Sequence, residues 1–348
     1  MGATDPKTEA EPLIESGQRI SLVVPLHNEE TSARRLVESI LAQTRSPDEV
    51  VLVDGGSTDR TVAILTEAVS GDRRFRIIES GPSTPGAARN IGIATARHEW
   101  VALTDAGIRL EPTWLERLVS RAQETPGVDI VYGNYEPDLH SAYERCAALA
   151  YVPLKQKREG GWARGPSIAT CLLRKSVWSA VGGFPDLRAS EDLIFMDRVA
   201  QTGCRIAWAP SATVWWSIQS TPSATFRKFV LYSKHNVLAG RQRFWHYGMA
   251  RQYAMALPFL LLAAFENSTW MIVPLAAALL RSAKSIWVRR EGRGICWVLN
   301  PARLLGVLAV IALIDTATYL GWIEAILLTR RGQPGRSGGA VQSHGGSE

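Results

Sequence analysis

From residue 20 onward, short apolar runs alternate with stretches of helical periodicity, and this alternation restricts the fold more than any other feature of the chain. Residues 20–25 and 49–53 read as buried strands, and 76–79, 100–104 and 128–132 as further short strands. Between them, residues 61–69, 86–96 and 112–123 read as helices. Residues 31–43 read as a further helix, with Leu36, Ile40 and Leu41 at helical spacing and Thr31 as its cap. Strands and helices alternating at this spacing predict an α/β fold with a mostly parallel central sheet flanked by helices. The stretch 139–227 is more mixed. It offers a strand at 168–173, a Gly182-Gly183 turn, a helix at 191–201, and β runs at 206–208 and 213–216. No linker interrupts it, so residues 18–240 are expected to form one domain.

The last third differs. From Arg241 to the end there are 12 Lys/Arg and 5 Asp/Glu, whereas residues 1–240 hold 27 and 28. The same third contains the long apolar runs, at 253–265, 270–280 and 303–328. The first two are short beside the ~20 residues that cross a bilayer, so they suit a tilted or re-entrant hairpin or one broken span. The third, about 39 Å as a helix, is long enough to span. Basic residues beside apolar runs point to a membrane surface before nucleic acid. Residues 241–330 are thus expected to be a membrane-associated helical region, with no nucleic-acid partner. Residues 1–17 are polar, without the layout of a signal peptide, and residues 331–348 are rich in Gly and Ser. Both read as flexible tails, with the soluble part on the cytoplasmic face. Four cysteines (Cys146, Cys171, Cys204 and Cys296) without a Cys-x-x-Cys pair argue against a disulfide scaffold or a structural zinc site.

In an open parallel sheet, ligands bind beyond the carboxyl ends of the strands. Three of the expected strands end in conspicuous polar groups: Pro25-Leu26-His27-Asn28-Glu29-Glu30, Asp54-Gly55-Gly56-Ser57-Thr58-Asp59 and Thr104-Asp105-Ala106-Gly107. Each alone makes an ordinary turn or helix start. Together they converge on one rim. No Gly-x-Gly-x-x-Gly follows the first strand, no P-loop sequence occurs, and no Gly-x-Ser-x-Gly elbow is present, which argues against a dinucleotide fold, a P-loop NTPase and an α/β-hydrolase.

The runs Val23–Glu30 and Val51–Asp59 resemble the opening of family 2 glycosyltransferases of the GT-A fold. Gly86-Ala87-Ala88-Arg89-Asn90-Ile91-Gly92 resembles that family's arginine–asparagine helix start. Gly182-Gly183-Phe184-Pro185, followed by Glu191-Asp192, resembles its acceptor-side motif. The likeness runs over roughly residues 19–240, and the C-terminal helices resemble those of membrane-attached members. The resemblance implies that Pro25, Asn28 and Glu29 line the pocket of a nucleotide-sugar donor. It implies that Asp54 holds the base, that Gly56 and Ser57 let the backbone approach, and that Arg89 lies near the nucleotide or its diphosphate. Asp105 takes the metal and sugar position, Gly183, Phe184 and Glu191 lie on the acceptor side, and Asp192 is the catalytic base. It also implies a divalent cation, Mg²⁺ or Mn²⁺. Where the family often has an Asp-x-Asp pair, the second carboxylate is replaced by Gly107, leaving Asp105 alone.

The implied activity is inverting transfer of one sugar, from a UDP-sugar ahead of other nucleotides, to a lipid-linked or glycolipid acceptor of a cell-envelope glycan. The processive synthases' Gln-x-x-Arg-Trp is absent; Arg241-Gln242-Arg243-Phe244-Trp245 stands in its neighbourhood with different spacing. Arg227, Lys228, Lys234, Arg241 and Arg243 are expected to meet a lipid phosphate or an anionic surface. Asp315, inside the last apolar run, is a functional candidate whose facing the sequence leaves open. The alternatives are a degenerate transferase domain acting as a membrane scaffold or sugar-nucleotide sensor and, more distantly, a nucleotidyltransferase.

Overall fold

The computed structural model describes residues 17–330; the expected tails, 1–17 (but for its last residue) and 331–348, lie outside the described residues. The chain divides into two compact units. The first comprises the chain up to residue 139, with 153–184 and 191–218; the second comprises 140–152, 185–190 and the chain from 219. The helix at 222–238 therefore groups with the C-terminal helices, and the domain expected over 18–240 is shared between the two units.

The first unit is built on β1 (Ile20–Leu26), α1 (Ala33–Leu41), β2 (Glu49–Asp54), α2 (Thr61–Ala68), β3 (Phe75–Glu79), α3 (Pro85–Thr95), β4 (Trp100–Leu103), β5 (Ile108–Leu110), α4 (Trp114–Glu124) and β6 (Ile130–Asp138). After α5 (Ala142–Tyr151), which belongs to the second unit, come β7 (Gln156–Arg158), β8 (Gly161–Ala163), β9 (Cys171–Arg174), α6 (Lys175–Ala180), α7 (Glu191–Gln201) and β10 (Ile206–Ser217). Eight strands form one sheet in the order β3-β2-β1-β4-β9-β6-β10-β5. β9 and β5 run against their neighbours and the rest are parallel. This is the mostly parallel, helix-flanked sheet that the alternation predicts.

Every residue of β1, β2 and β4 is buried, as a parallel sheet covered on both faces requires. Leu22 and Val24 point into a layer with Leu36 and Ile40 of α1 and Leu115 and Leu118 of α4. Val23, Val51 and Val53 point the other way, against Ala88 and Ile93 of α3 and Phe195 and Val199 of α7. The chain leads from β1 through β2 to β3 on one side and places β4 on the other side of β1. The crevice at the carboxyl ends of β1 and β4 is therefore the topological switch point.

Several local expectations are corrected. Thr31 does not cap α1, which starts at Ala33; the preceding Ser32 turns its hydroxyl back to the Glu29 carboxylate instead. The two β runs near 206–216 are one strand, β10, whose register against β6 shifts between Trp208 and Thr213. The strand at 168–173 opens with a 3₁₀ turn, Ile168–Thr170. β6 continues past Tyr132 to Asp138 because β10 pairs with its polar half.

The second unit contains α5, α8 (Pro222–Leu238), α9 (His246–Phe265), α10 (Ile272–Val288), α11 (Ile295–Val298) and α12 (Pro301–Arg330). Among the described residues, three helical segments are long and apolar enough to cross a membrane: His246–Phe265, Ser268–Val288 and Pro301–Arg330. Asp315 faces the interior of this unit. Both terminal nitrogens of Arg281 from α10 reach it, one at 2.9 Å, and the Tyr253 hydroxyl of α9 donates at 2.8 Å. Of the basic residues noted above, Lys234 pairs with Glu324 at 3.3 Å. Arg241 and Arg243 each lie 4.7 Å from the exposed Phe244 ring.

Candidate active site

The loops after β1 and β2 are tied to each other. The Asn28 backbone, in the left-handed region at φ 55°, donates to Ser57 Oγ at 2.8 Å, and Asn28 Oδ1 accepts from the Thr58 N–H at 2.8 Å. The Glu29 N–H donates to Thr61 Oγ1 at 2.7 Å, and the Glu30 N–H to Asp59 at 3.2 Å. The turn after β2 is wound around Asp54. One carboxylate oxygen accepts from the N–H groups of Gly56 (3.0 Å) and Ser57 (2.9 Å), and the other from the Ser57 hydroxyl (2.5 Å). Gly56 has φ +82°, and a methyl group there would lie 2.8 Å from the Pro82 nitrogen, so only glycine fits.

These contacts refine two expectations. Asp54 is 2% exposed and shapes its own loop, so in this state its carboxylate is not open to a base. Pro25 is buried inside β1, beyond the last residue that pairs with β4, where its missing N–H breaks no ladder bond; its side chain does not line the rim. Asn28 and Glu29 do reach the rim. Burial pushes the Glu29 carboxyl up, with Asp105 and Asp59 adding to it and the Ser32 hydroxyl opposing.

Arg89 joins the remaining motifs. It lies on α3, which Thr84 caps through the Ala87 N–H (3.2 Å) with Pro85 in the first turn. Its guanidinium is buried, donating to Asp105 Oδ1 at the end of β4 (2.6 Å) and to Glu191 Oε1 at the start of α7 (2.7 Å). Burial alone would favour loss of the proton, but the two carboxylates outweigh it and hold Arg89 charged. Arg89 therefore binds carboxylates of its own chain. Glu191 is buried in that pairing. Asp105 keeps a 40% exposed side chain.

The next residue, Asn90, fixes the Gly182-Gly183-Phe184 turn. Its Oδ1 accepts from the Phe184 N–H (2.8 Å) and the Trp178 indole (2.9 Å), and its Nδ2 donates to the Phe184 carbonyl (2.8 Å). Gly183 has φ +70°, and a methyl group there would meet Asn90 Oδ1 at 2.8 Å. Phe184 is turned into the core. It is 3% exposed, stacked on Phe195 at 4.0 Å and facing Arg89 at 5.5 Å.

Asp192 follows Glu191 in the first turn of α7, and its Oδ1 accepts from the Leu193 N–H at 2.8 Å. Burial pushes its carboxyl up, Arg89 opposes, and the nearby charge of Asp105 adds to the rise. Asp192 in turn acts on Tyr135, whose hydroxyl burial pushes up to about 12. Tyr135 and its neighbours were not singled out by the sequence. Arg164 donates to the Tyr135 carbonyl (2.9 Å) and to Glu136 (2.8 Å), and Lys155 pairs with Glu136 at 2.7 Å. Only the extension of β6 beside β10 brings these groups to the site.

Among the described residues no group of three or more His, Cys, Asp or Glu forms a metal cluster. Asp105, with one oxygen on Arg89 and a half-open side chain, suits a divalent cation whose other ligands are phosphate oxygens and water.

The model of the family described as "Glycosyl transferase family 2" matches residues 21–177. The succinoglycan biosynthesis protein ExoO of Rhizobium meliloti is 36% identical over 126 residues, 36% of this chain and 35% of that protein. The undecaprenyl-phosphate 4-deoxy-4-formamido-L-arabinose transferase of Pectobacterium atrosepticum is 30% identical over 200 residues, 56% of this chain and 58% of that protein. A crystal structure of S. aureus TarS with UDP-GlcNAc aligns at 15% identity with a TM-score of 0.46, covering 91% of this chain and 93% of that chain. The chain spans from 33% to 48% of the length of the first curated relatives it matches. Through residues 21–177, which hold the loops tied at the switch point, this chain is similar to glycosyl transferase family 2.

Proposed function

We propose that the chain transfers one sugar, with inversion, from a nucleoside-diphosphate donor to the hydroxyl of a lipid-linked or glycolipid acceptor at a cytoplasmic membrane face. The observation that carries this reading is the Arg89 junction. It brings Asp105, from the end of β4, and Glu191-Asp192, from the start of α7, to one point at the carboxyl ends of the strands. Asp192 takes the proton of the attacking hydroxyl, for which a raised carboxyl is suited. The new bond forms at the anomeric carbon as the bond to the diphosphate breaks on the opposite side. Asn28, Glu29, Gly56 and Ser57 form the wall for the nucleotide. Asp105 holds a divalent cation, which supplies charge stabilisation for the leaving diphosphate when bound. The lipid-linked acceptor is supported by the undecaprenyl phosphate for which the Pectobacterium relative is named and by the apolar helices of the second unit.

The test is thermal stability of the purified protein with UDP, GDP, dTDP and CMP, each with and without Mn²⁺, followed by turnover. A nucleotide at one hundred times its Kd adds about 2.7 kcal/mol to the native state. Stabilisation by one diphosphate, with turnover lost in Asp192→Asn, is the expected result. No shift with any nucleotide overturns the reading. Binding without turnover over a broad acceptor panel favours the scaffold or sensor that Gly107 leaves open.

A further inference from the structure

The three apolar segments of the second unit are not equivalent. α9 and the Ser268–Val288 segment are nearly bare: Phe265 is 83% exposed, Leu280 70%, Ile272 66% and Met255 60%. α12, the most apolar by sequence, is the most covered, and the segments that cover it bring polar groups as well as apolar ones. Near its start, a methyl group at Gly306 would lie 2.7 Å from Cys146 Sγ of α5, and the Leu304 carbonyl accepts from Ser282. Near its end, Gly321 packs against the backbone of Val230 in α8, the Ser233 hydroxyl donates to the Thr318 carbonyl (2.6 Å), and Glu324 pairs with Lys234. α5 has ten residues, about 15 Å, and carries Glu144 and Arg145; α8 carries Arg227, Lys228, Lys234 and His235. Neither can cross a bilayer. Yet they hold α12 at points about 27 Å apart along its axis, roughly the thickness of the hydrocarbon core. A crossing helix would carry one of these polar partners to the far face.

We propose that the α9–α10 hairpin is the element that crosses the lipid bilayer, passing out and back, and that α12 lies along the near surface. α9 has 20 residues and Ser268–Val288 has 21, about 30 Å each, the thickness of the core. The connecting residues Glu266, Asn267, Ser268 and Thr269 are exposed and include non-helical backbone, which lipid does not tolerate, so they emerge on the far side. Arg290 follows the near end of the hairpin, and Arg251 and Lys284 reach from within it towards the near boundary and its anionic headgroups. Tyr253 and Arg281 each lie about 18 Å from the tip, which sets them ~10 Å inside the near boundary, the depth of an interfacial helix. There both meet Asp315 of α12. The Asp315 junction fastens the hairpin where it leaves the surface helices.

This inference rests on the membrane part of the proposed function and not on the transfer reaction. The experiment uses the full chain in sealed membrane vesicles of one orientation, with single cysteines probed by a membrane-impermeant maleimide before and after permeabilisation. Native Cys296, exposed on α11, reports the near side. We expect Arg330→Cys to react together with Cys296, and Asn267→Cys to react only under the opposite condition. Arg330→Cys reacting with Asn267→Cys overturns the inference in favour of three crossings, and all three reacting together overturns it because nothing crosses. Failure of the chain to float with vesicles removes the membrane reading itself. Detergent-free elution as a stable dimer shows that a second copy covers the hairpin, and also overturns the inference. All three cysteine positions are exposed, so labelling does not depend on repacking a core.

Discussion

Each unit of this chain has an arginine drawn out of water by carboxylates, and the two are put to different use. In the sheet unit, Arg89 is 6% exposed at its side chain and holds Glu191, 7% exposed, and Asp105, 40% exposed. In the helical unit, Arg281 and Tyr253 close on Asp315, 4% exposed. An ion pair removed from water is weak evidence of added stability, so each must be read through what it positions. Arg89 leaves one carboxylate half open and another acid, Asp192, beside it. Its Nε, moreover, is buried without a hydrogen-bond partner. Arg281 leaves its acid no open side. The first arrangement leaves a carboxylate open to solvent. The second is closed, as a fastening is.

The sharpest way to break this contrast is Asp192→Asn. Loss of a general base lowers turnover by about 10²–10⁴-fold. Because burial raises the Asp192 carboxyl in the folded state, its charged form opposes folding at neutral pH. The neutral amide removes that opposition, so the melting temperature should rise or hold while activity collapses. A variant that loses both would mean that Asp192 is a structural acid.

Next in size is Arg89→Ala. It strands Glu191 in the core without its counter-charge, a change that costs about 3–5 kcal/mol. Arg281→Ala should cost less, because the Arg281 side chain is 36% exposed and Tyr253 still donates to Asp315. Thermal unfolding of both variants in one detergent gives the order directly. A larger loss at Arg281 would reverse the roles assigned to the two arginines. Replacing Arg89 by Met together with Glu191→Gln should recover part of the lost stability and none of the turnover.

A smaller effect is expected at Asn90→Ala. The substitution removes three hydrogen bonds around the Gly183-Phe184 backbone, about 1–3 kcal/mol of stabilisation. Asn90 does not touch the loops after β1 and β2, so nucleotide binding should stay near that of the parent while kcat/KM for the acceptor falls. Equal losses in both would place the Gly183 turn in the donor half of the site.

The sequence exposes the parallel half of the sheet because β1, β2 and β4 are continuous apolar runs whose burial needs no distant partner to be read. β6 ends too early in such a reading, since Asn134, Tyr135 and Glu136 look like loop until β10 pairs with them. α5 and α8 escape for a related reason: both are mixed in polarity, and their buried faces form against each other and against the C-terminal helices. In the site, the positions that converge are legible and their roles are less so. Asn28 and Asp105 follow the carboxyl ends of β1 and β4, and Asp192 lies in the first turn of α7. Asp54 and Phe184, by contrast, are turned inward, and Arg89 is spent on Asp105 and Glu191. A motif records which residues recur together, and a residue that holds the site leaves the same trace as one that touches the substrate.

The pH profile separates these two kinds of residue with the least perturbation. The Asp192 carboxyl is raised by burial and by Asp105, and lowered by Arg89. Transfer requires the carboxylate, so kcat/KM should rise with pH along a limb above the ordinary aspartate value of about 3.9. Arg89→Lys keeps the positive charge but not the two-pronged geometry. Its limb should stay near that of the parent while kcat drops. Arg89→Ala removes the charge that opposes burial, so the limb of its folded fraction should move to higher pH. If Lys and Ala shift the limb equally, Arg89 acts on Asp192 through geometry alone. If neither shifts it, the titrating base is another group, and Glu29, whose carboxyl burial also raises, becomes the residue to replace.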